Sequence, residues 1–202
     1  MDSHHQLSVY LQRRGVLVSP LLIESFNTID RKDFVPSSMR DEAYEDYPLF
    51  IGAGQTISQP YTVAFMLELL ELKESDTVLD IGCGSGWTTA LLAQTAGSGF
   101  VTGIERIPQL LDLARNNLKK YHFANIKLKI AGKTLGIPEE TFDKILVSAA
   151  AEELPLELVR QLNPGGIMVI PIQNEIAVIY KHEDGSFQQN DFYGFRFVPL
   201  IY

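Results

Sequence analysis

Cysteine is nearly absent from this 202-residue chain. Cys83 stands alone, so no intramolecular disulfide can form, and a reducing compartment is expected. Long hydrophobic runs are missing as well. No apolar stretch approaches the ~20 residues that cross a bilayer, and Met1-Asp2-Ser3-His4-His5 lacks the basic-then-apolar order of a secretory signal. Basic residues are in the minority, 17 against 25 acids, for a formal charge of −8. A field of that sign repels phosphate backbones and argues against general nucleic-acid binding. Lys119, Lys120, Lys127 and Lys129 cluster in sequence, but the first pair ends a helix and the second alternates along a strand. They therefore read as a solvated face. The four histidines show no metal-ligand spacing, and neither repeats nor low-complexity linkers occur. A cytoplasmic monomer that binds neither nucleic acid, membrane nor metal is expected.

What is present is ordinary globular composition, 46% hydrophobic and 21% charged, long enough for one full core. Residues 7–14 and 20–29 carry apolar residues at helical spacing, and 33–48 reads as irregular and polar. A helix from Pro60 places Val63, Leu67 and Leu70 on one face and stops near Lys73–Asp76. Short apolar strands follow at 77–81, 100–104, 126–130, 142–147 and 166–171, with helices at 87–96, 108–121 and 155–162 between them. That alternation predicts an α/β fold, a doubly wound and mainly parallel sheet. The stretch 176–182, an Asp184-Gly185 turn and the run from Phe187 add an antiparallel hairpin at one edge, and helices precede the sheet. One domain is expected, divided into an N-terminal helical and loop segment (1–75), a core (76–171) and the hairpin (172–202).

Two stretches carry chemistry. Gly54-Gln55-Thr56-Ile57-Ser58-Gln59-Pro60-Tyr61 reads as a polar loop entering an apolar helix, able to present donors to a charged substrate group. Taken alone, Ser58 is a helix cap with Pro60 in the first turn. The second stretch, Val78-Leu79-Asp80-Ile81-Gly82-Cys83-Gly84-Ser85-Gly86, lies at the carboxyl end of the first parallel strand, where open α/β sheets bind ligands. A dinucleotide fingerprint would place its third glycine at the position Trp87 occupies, which argues against NAD and FAD. Glu105 ends the second strand, placed to grip ribose hydroxyls, and Asp80 could hold a cationic group. Cys83 reads as a small side chain filling the loop, since no histidine neighbours it.

The glycine loop resembles the S-adenosylmethionine loop of class I, Rossmann-like methyltransferases. Beyond it, most of the chain resembles the protein-L-isoaspartate O-methyltransferases. The matching motifs are Phe34-Val35-Pro36, Ala43-Tyr44-Glu45-Asp46, Pro48-Leu49-Phe50-Ile51-Gly52, Gly54 to Tyr61, Asp80 to Gly86 and Ile104-Glu105. Leu146 to Ala150, Pro164-Gly165-Gly166 and Arg196-Phe197-Val198-Pro199-Leu200 complete the set. The resemblance implies a cytoplasmic repair transferase acting on isoaspartyl-containing proteins and peptides. It would methylate their free α-carboxylate, and the ester would collapse to a succinimide. It also implies that Ser58 hydrogen-bonds the substrate carboxylate, that Thr56 and Ile57 shape the site, and that backbone near Val198 docks the peptide. S-adenosyl-L-methionine would be held by Asp80, Gly82, Gly84, Ser85, Gly86, Glu105, Gly132 and Lys133. A carboxylate with a pKa of roughly 4 is ionised at neutral pH and needs no general base, consistent with the lack of any triad or carboxylate pair.

The chain departs from the family at Ala131-Gly132-Lys133, where Gly-Asp-Gly is usual and the acid helps hold the adenine amine. Losing one such hydrogen bond costs about 1 kcal/mol, roughly five- to tenfold in affinity. Phe50 replaces a proline, and Ile172-Gln173 replaces a common valine-glycine. These departures leave open a divergent paralogue, either a methyltransferase for another carboxylate or small molecule, or a non-catalytic peptide-binding protein.

Overall fold

The computed structural model of the chain describes Met1 and residues 3–202. Helix α1 (His4–Arg13) opens on Ser3, whose hydroxyl accepts from the Gln6 N–H at 3.2 Å, and α2 (Pro20–Thr28) opens on its proline. The stretch read as irregular contains two 3-10 turns, Arg31–Phe34 and Ser37–Glu42. Strands β1 (Leu49–Gly52) and β2 (Gln55–Ile57) then form an antiparallel hairpin, Leu49 opposite Ile57. This corrects the expectation of a loop from Gly54: the tight turn at Ala53-Gly54 sends the chain back as a strand. Helix α3 (Pro60–Leu69) follows and ends earlier than expected: Glu71 takes a left-handed backbone (φ 51°), and the Asp76 carboxylate ties the Lys73 N–H into a separate turn.

The core runs β3 (Thr77–Ile81), α4 (Trp87–Ala96), β4 (Phe100–Glu105), α5 (Pro108–Leu118), β5 (Ile126–Ile130), β6 (Phe142–Val147), α6 (Leu156–Arg160) and β7 (Leu162–Ile172). The hairpin β8 (Glu175–Lys181) and β9 (Phe187–Tyr193) closes the chain. Helix α6 is shorter than expected and β7 longer. Phe142 pairs with Leu162 and Lys144 with Ile167, so Pro164-Gly165-Gly166 bulges out within one extended strand. The β8–β9 turn holds Asp184 and Gly185: the Gly185 N–H donates to the His182 carbonyl at 3.0 Å, and the Ser186 N–H and hydroxyl donate to Asp184 Oδ1 at 2.9 and 2.6 Å.

The seven-stranded sheet has the order β5-β4-β3-β6-β7-β8-β9, parallel through β7 and antiparallel beyond it. This is the doubly wound sheet expected, with its antiparallel edge. Strand alternation sends Val78, Leu146, Val169 and Val178 into one core with α1 to α5. Leu79, Ile145, Met168 and Ile179 face the other, beneath α6. The chain winds outward from β3 through β4 to β5, then returns to the far side of β3 as β6. That reversal opens a crevice at the carboxyl ends of β3, β4 and β6.

Candidate active site

The glycine loop leaves β3 and enters α4 through three residues with left-handed backbone, Gly82 (φ 77°), Gly84 (φ 55°) and Gly86 (φ 91°). Side chains at all three would be strained. The Gly82 and Cys83 N–H groups both donate to the Ile104 carbonyl, locking the loop to β4. Glu105, only 6% exposed, fixes it from the side: Oε2 accepts from the Gly84 N–H at 3.1 Å and Oε1 from the Ile107 N–H at 2.9 Å. Each carboxylate oxygen keeps a further lone pair, and Glu105 lines the crevice.

The crevice holds about 1060 Å³ of atom-free space, solvent at its mouth included. Gly82, Gly84, Ser85 and Glu105 form one wall and Gly132 and Thr134 another, with Ile107 and Leu110 supplying apolar surface. A second cleft, lined by Pro48, Tyr61, Asn174, Phe195, Arg196 and Phe197 among others, opens beside it. The two share Thr56, Ser58, Ser148 and Val198. Ser58 is not the helix cap. Gln59 occupies that position without a side-chain bond, and among the described residues the Ser58 hydroxyl has no hydrogen-bond partner. Val198 and Leu200 are held by Ala150 at the end of β6: the Ala150 N–H donates to the Val198 carbonyl and the Leu200 N–H to the Ala150 carbonyl.

The sequence model of the family "Protein-L-isoaspartate(D-aspartate) O-methyltransferase" matches residues 2–202. The chain belongs to this family. It is 47% identical over 193 residues to a protein-L-isoaspartate O-methyltransferase of Trichlorobacter lovleyi, covering 93% of this chain and 88% of that one. It is 43% identical over 198 residues to the protein of that name from Methanopyrus kandleri, covering 95% and 88%. A Plasmodium falciparum structure assigned to the same enzyme, with S-adenosyl-L-homocysteine bound, superposes with a TM-score of 0.89 at 26% identity, covering 100% of this chain and 99% of that one.

Three residues expected at the cofactor site stand off the crevice. Asp80 is wholly buried behind the loop, its Oδ2 accepting from the Thr88 and Thr89 hydroxyls at 2.9 and 2.6 Å. Among the described residues its Oδ1 has no hydrogen-bond partner. Burial pushes its carboxyl up to about 6 against the pull of Thr89 and Thr88. It supports the loop instead of reaching into the site. Gly86 turns away against Ala114, where an added Cβ would sit 3.2 Å from the Ala114 Cβ. Lys133 is exposed and lies outside the lining. Cys83 is buried, and burial drives its thiol well above the ordinary range, which removes it as a nucleophile.

Sequence reasoning missed several wall residues. Ser148 follows β6 with its N–H donating to the Ile81 carbonyl, and Thr134 and Leu135 sit in a loop pinned by the Gln161 amide. Only the fold brings these near the glycine loop. Ser148 lies inside the Leu146 to Ala150 motif and Thr134 next to Lys133, yet neither residue type by itself points to the crevice.

Proposed function

We propose that this chain transfers the methyl group of S-adenosyl-L-methionine to the free α-carboxylate of isoaspartyl residues in damaged proteins and peptides, the first step of repair through a succinimide. The observation carrying this reading is the meeting of the two clefts at Thr56, Ser58, Ser148 and Val198. One cleft has the carboxylate and close glycine backbone suited to a nucleoside, and the other is open and aromatic, suited to an extended peptide.

The crevice fits the cofactor. Glu105 presents buried carboxylate oxygens for ribose hydroxyls, Gly82, Gly84 and Ser85 allow close backbone approach, and Gly132 leaves open space at the far wall. When bound, the cofactor supplies an electrophilic methyl group. The chain itself supplies position. The unpartnered Ser58 hydroxyl is placed to donate to a substrate carboxylate oxygen, and Thr56, Ile57 and Val198 border the junction. No group needs to take a proton, since the substrate carboxylate is ionised at neutral pH. The whole chain would act as one domain, because the clefts draw residues from Pro48 to Tyr202. The lone buried cysteine and the charge of −8 favour a cytoplasmic monomer that does not engage nucleic acid.

The test is methyl transfer from S-adenosylmethionine to two matched peptides, one with isoaspartate and one with aspartate. Transfer to the isoaspartyl peptide alone supports the reading. Folded protein that methylates neither overturns it.

A further inference from the structure

Arg31 is among the most deeply buried side chains of the protein, at 1% exposure, and among the described residues it has no ion-pair partner. Its charge is met instead by backbone. Nη1 donates to the carbonyls of Ala43 (2.8 Å) and Glu45 (3.1 Å), and Nη2 to those of Tyr47 (3.0 Å) and Ser58 (3.1 Å). The guanidinium lies over the Trp87 ring, 5.3 Å from its centroid. Trp87 is the first residue of α4 and lines the cofactor crevice. Burying a cation without a direct ion pair is costly: burial pulls Arg31 down to about 10, against the opposing pull of the Asp46 carboxylate. Among the described residues its Nε is also without a hydrogen-bond partner. An apolar side chain of similar volume would leave those four carbonyls without their donor, so the fork also ties residues 43–58 into one unit.

The arrangement joins two parts of the site that share no strand. One end of the guanidinium holds the carbonyl of Ser58, the residue at the cleft junction, and its carbon sits over the Trp87 ring at the wall of the cofactor crevice. We infer that Arg31 is a positioning residue for methyl transfer, setting the Ser58 hydroxyl relative to the cofactor wall through the Ser58 carbonyl and the Trp87 ring. The inference rests on the proposed methyl-transfer reading. Only a planar fork serves this geometry: a lysine ammonium neither spans four carbonyls nor stacks flat on an indole. A misplacement of about 1 Å at a reacting centre reduces rate by up to about 100-fold.

The experiment compares wild type with Arg31→Lys, reading kcat and KM for an isoaspartyl peptide, cofactor Kd by titration calorimetry, and the melting temperature. Wild type must first methylate the isoaspartyl peptide; if it does not, the functional reading fails before Arg31 is tested. The expected result is a folded variant whose kcat falls roughly 10- to 100-fold while cofactor Kd stays within about threefold. Emission from Trp87, the only tryptophan, should shift as the stack is lost. A folded variant with unchanged kcat overturns the proposal, and so does a cofactor Kd that weakens in step with kcat, since either makes Arg31 scaffold only. Should the variant not fold, the wild type decides. Arginine side-chain NMR should show one guanidinium, Arg31, with slowly exchanging protons, slower still with cofactor and peptide bound. Exchange as fast as that of exposed arginines, or unaffected by the ligands, overturns it.

Discussion

Glu105→Gln is the sharpest test of the cofactor crevice. The wild-type carboxylate accepts two backbone N–H bonds, from Gly84 at 3.1 Å and Ile107 at 2.9 Å, and keeps lone pairs for a ligand. Glutamine preserves the shape but only one acceptor oxygen, so its amide nitrogen must face one of those N–H groups, donor against donor. One buried N–H is left unsatisfied, which costs about 1–3 kcal/mol of stability. The ligand loses separately: hydrogen bonds from ribose hydroxyls to a charged acceptor contribute about 1.5–3 kcal/mol, so the Kd for S-adenosylmethionine should weaken roughly 10- to 150-fold. Calorimetric titration with S-adenosylhomocysteine measures the affinity, and denaturant unfolding measures the stability. A folded variant with Kd within twofold of wild type would refute the assignment of Glu105 to the nucleoside, even if stability falls as expected.

Ser58→Ala should lower kcat/KM for an isoaspartyl peptide by roughly tenfold or more while leaving cofactor Kd unchanged, because the hydroxyl has no internal partner to lose; equal kcat/KM removes Ser58 from the reaction. Gly132→Asp restores the acid usual in the family at a position where a Cβ meets nothing closer than 3.9 Å. It should tighten cofactor binding about five- to tenfold, and unchanged binding would show that the adenine is held elsewhere. Asp80 gives a pH signature. Its carboxyl rises from 3.8 to about 6 on folding, so the folded state takes up a proton between those values. Stability from this group is therefore lost as pH rises from about 4 through about 6 and is level above, a change on the order of 3 kcal/mol. Denaturant unfolding across that range should show wild type falling relative to Asp80→Asn, and a pH-independent difference would contradict the burial argument.

Much of the fold was legible because its signals are local. The bounds of β3, β5, β6 and α4 follow from short apolar runs between glycines and polar turns. The β1–β2 hairpin was not legible. Leu49-Phe50-Ile51-Gly52 and Gln55-Thr56-Ile57 are too short to show alternation, and the pairing that defines them lies across a positive-φ Ala53 that sequence does not flag. Glu105 and the glycine loop could be placed at strand ends from sequence, and Glu105, Gly82 and Gly84 do line the crevice while Gly86 does not. Asp80 misled for a physical reason: a carboxylate heading a glycine loop looks the same in sequence whether it faces a ligand or two threonines beneath the loop. Arg31 gave no signal: it falls between the 20–29 helix and the 33–48 stretch, and nothing in sequence separates it from Lys32 beside it. Only long-range packing shows that one of these two cations points inward onto four carbonyls.

The β8–β9 turn has a bearing on the durability of the molecule. Asp-Gly is among the dipeptides open to ring closure, in which the glycine nitrogen attacks the preceding side-chain carbonyl carbon. At Asp184-Gly185 both reactants are restrained. The nitrogen's hydrogen is committed to the His182 carbonyl, and the carboxyl is held by the Ser186 hydroxyl and N–H, which keep its pKa below the ordinary range. An ionised carboxylate is a poor electrophile, and a tethered one cannot swing onto its neighbour. The turn thus resists, by its own hydrogen bonds, the ageing chemistry that creates isoaspartate in other chains.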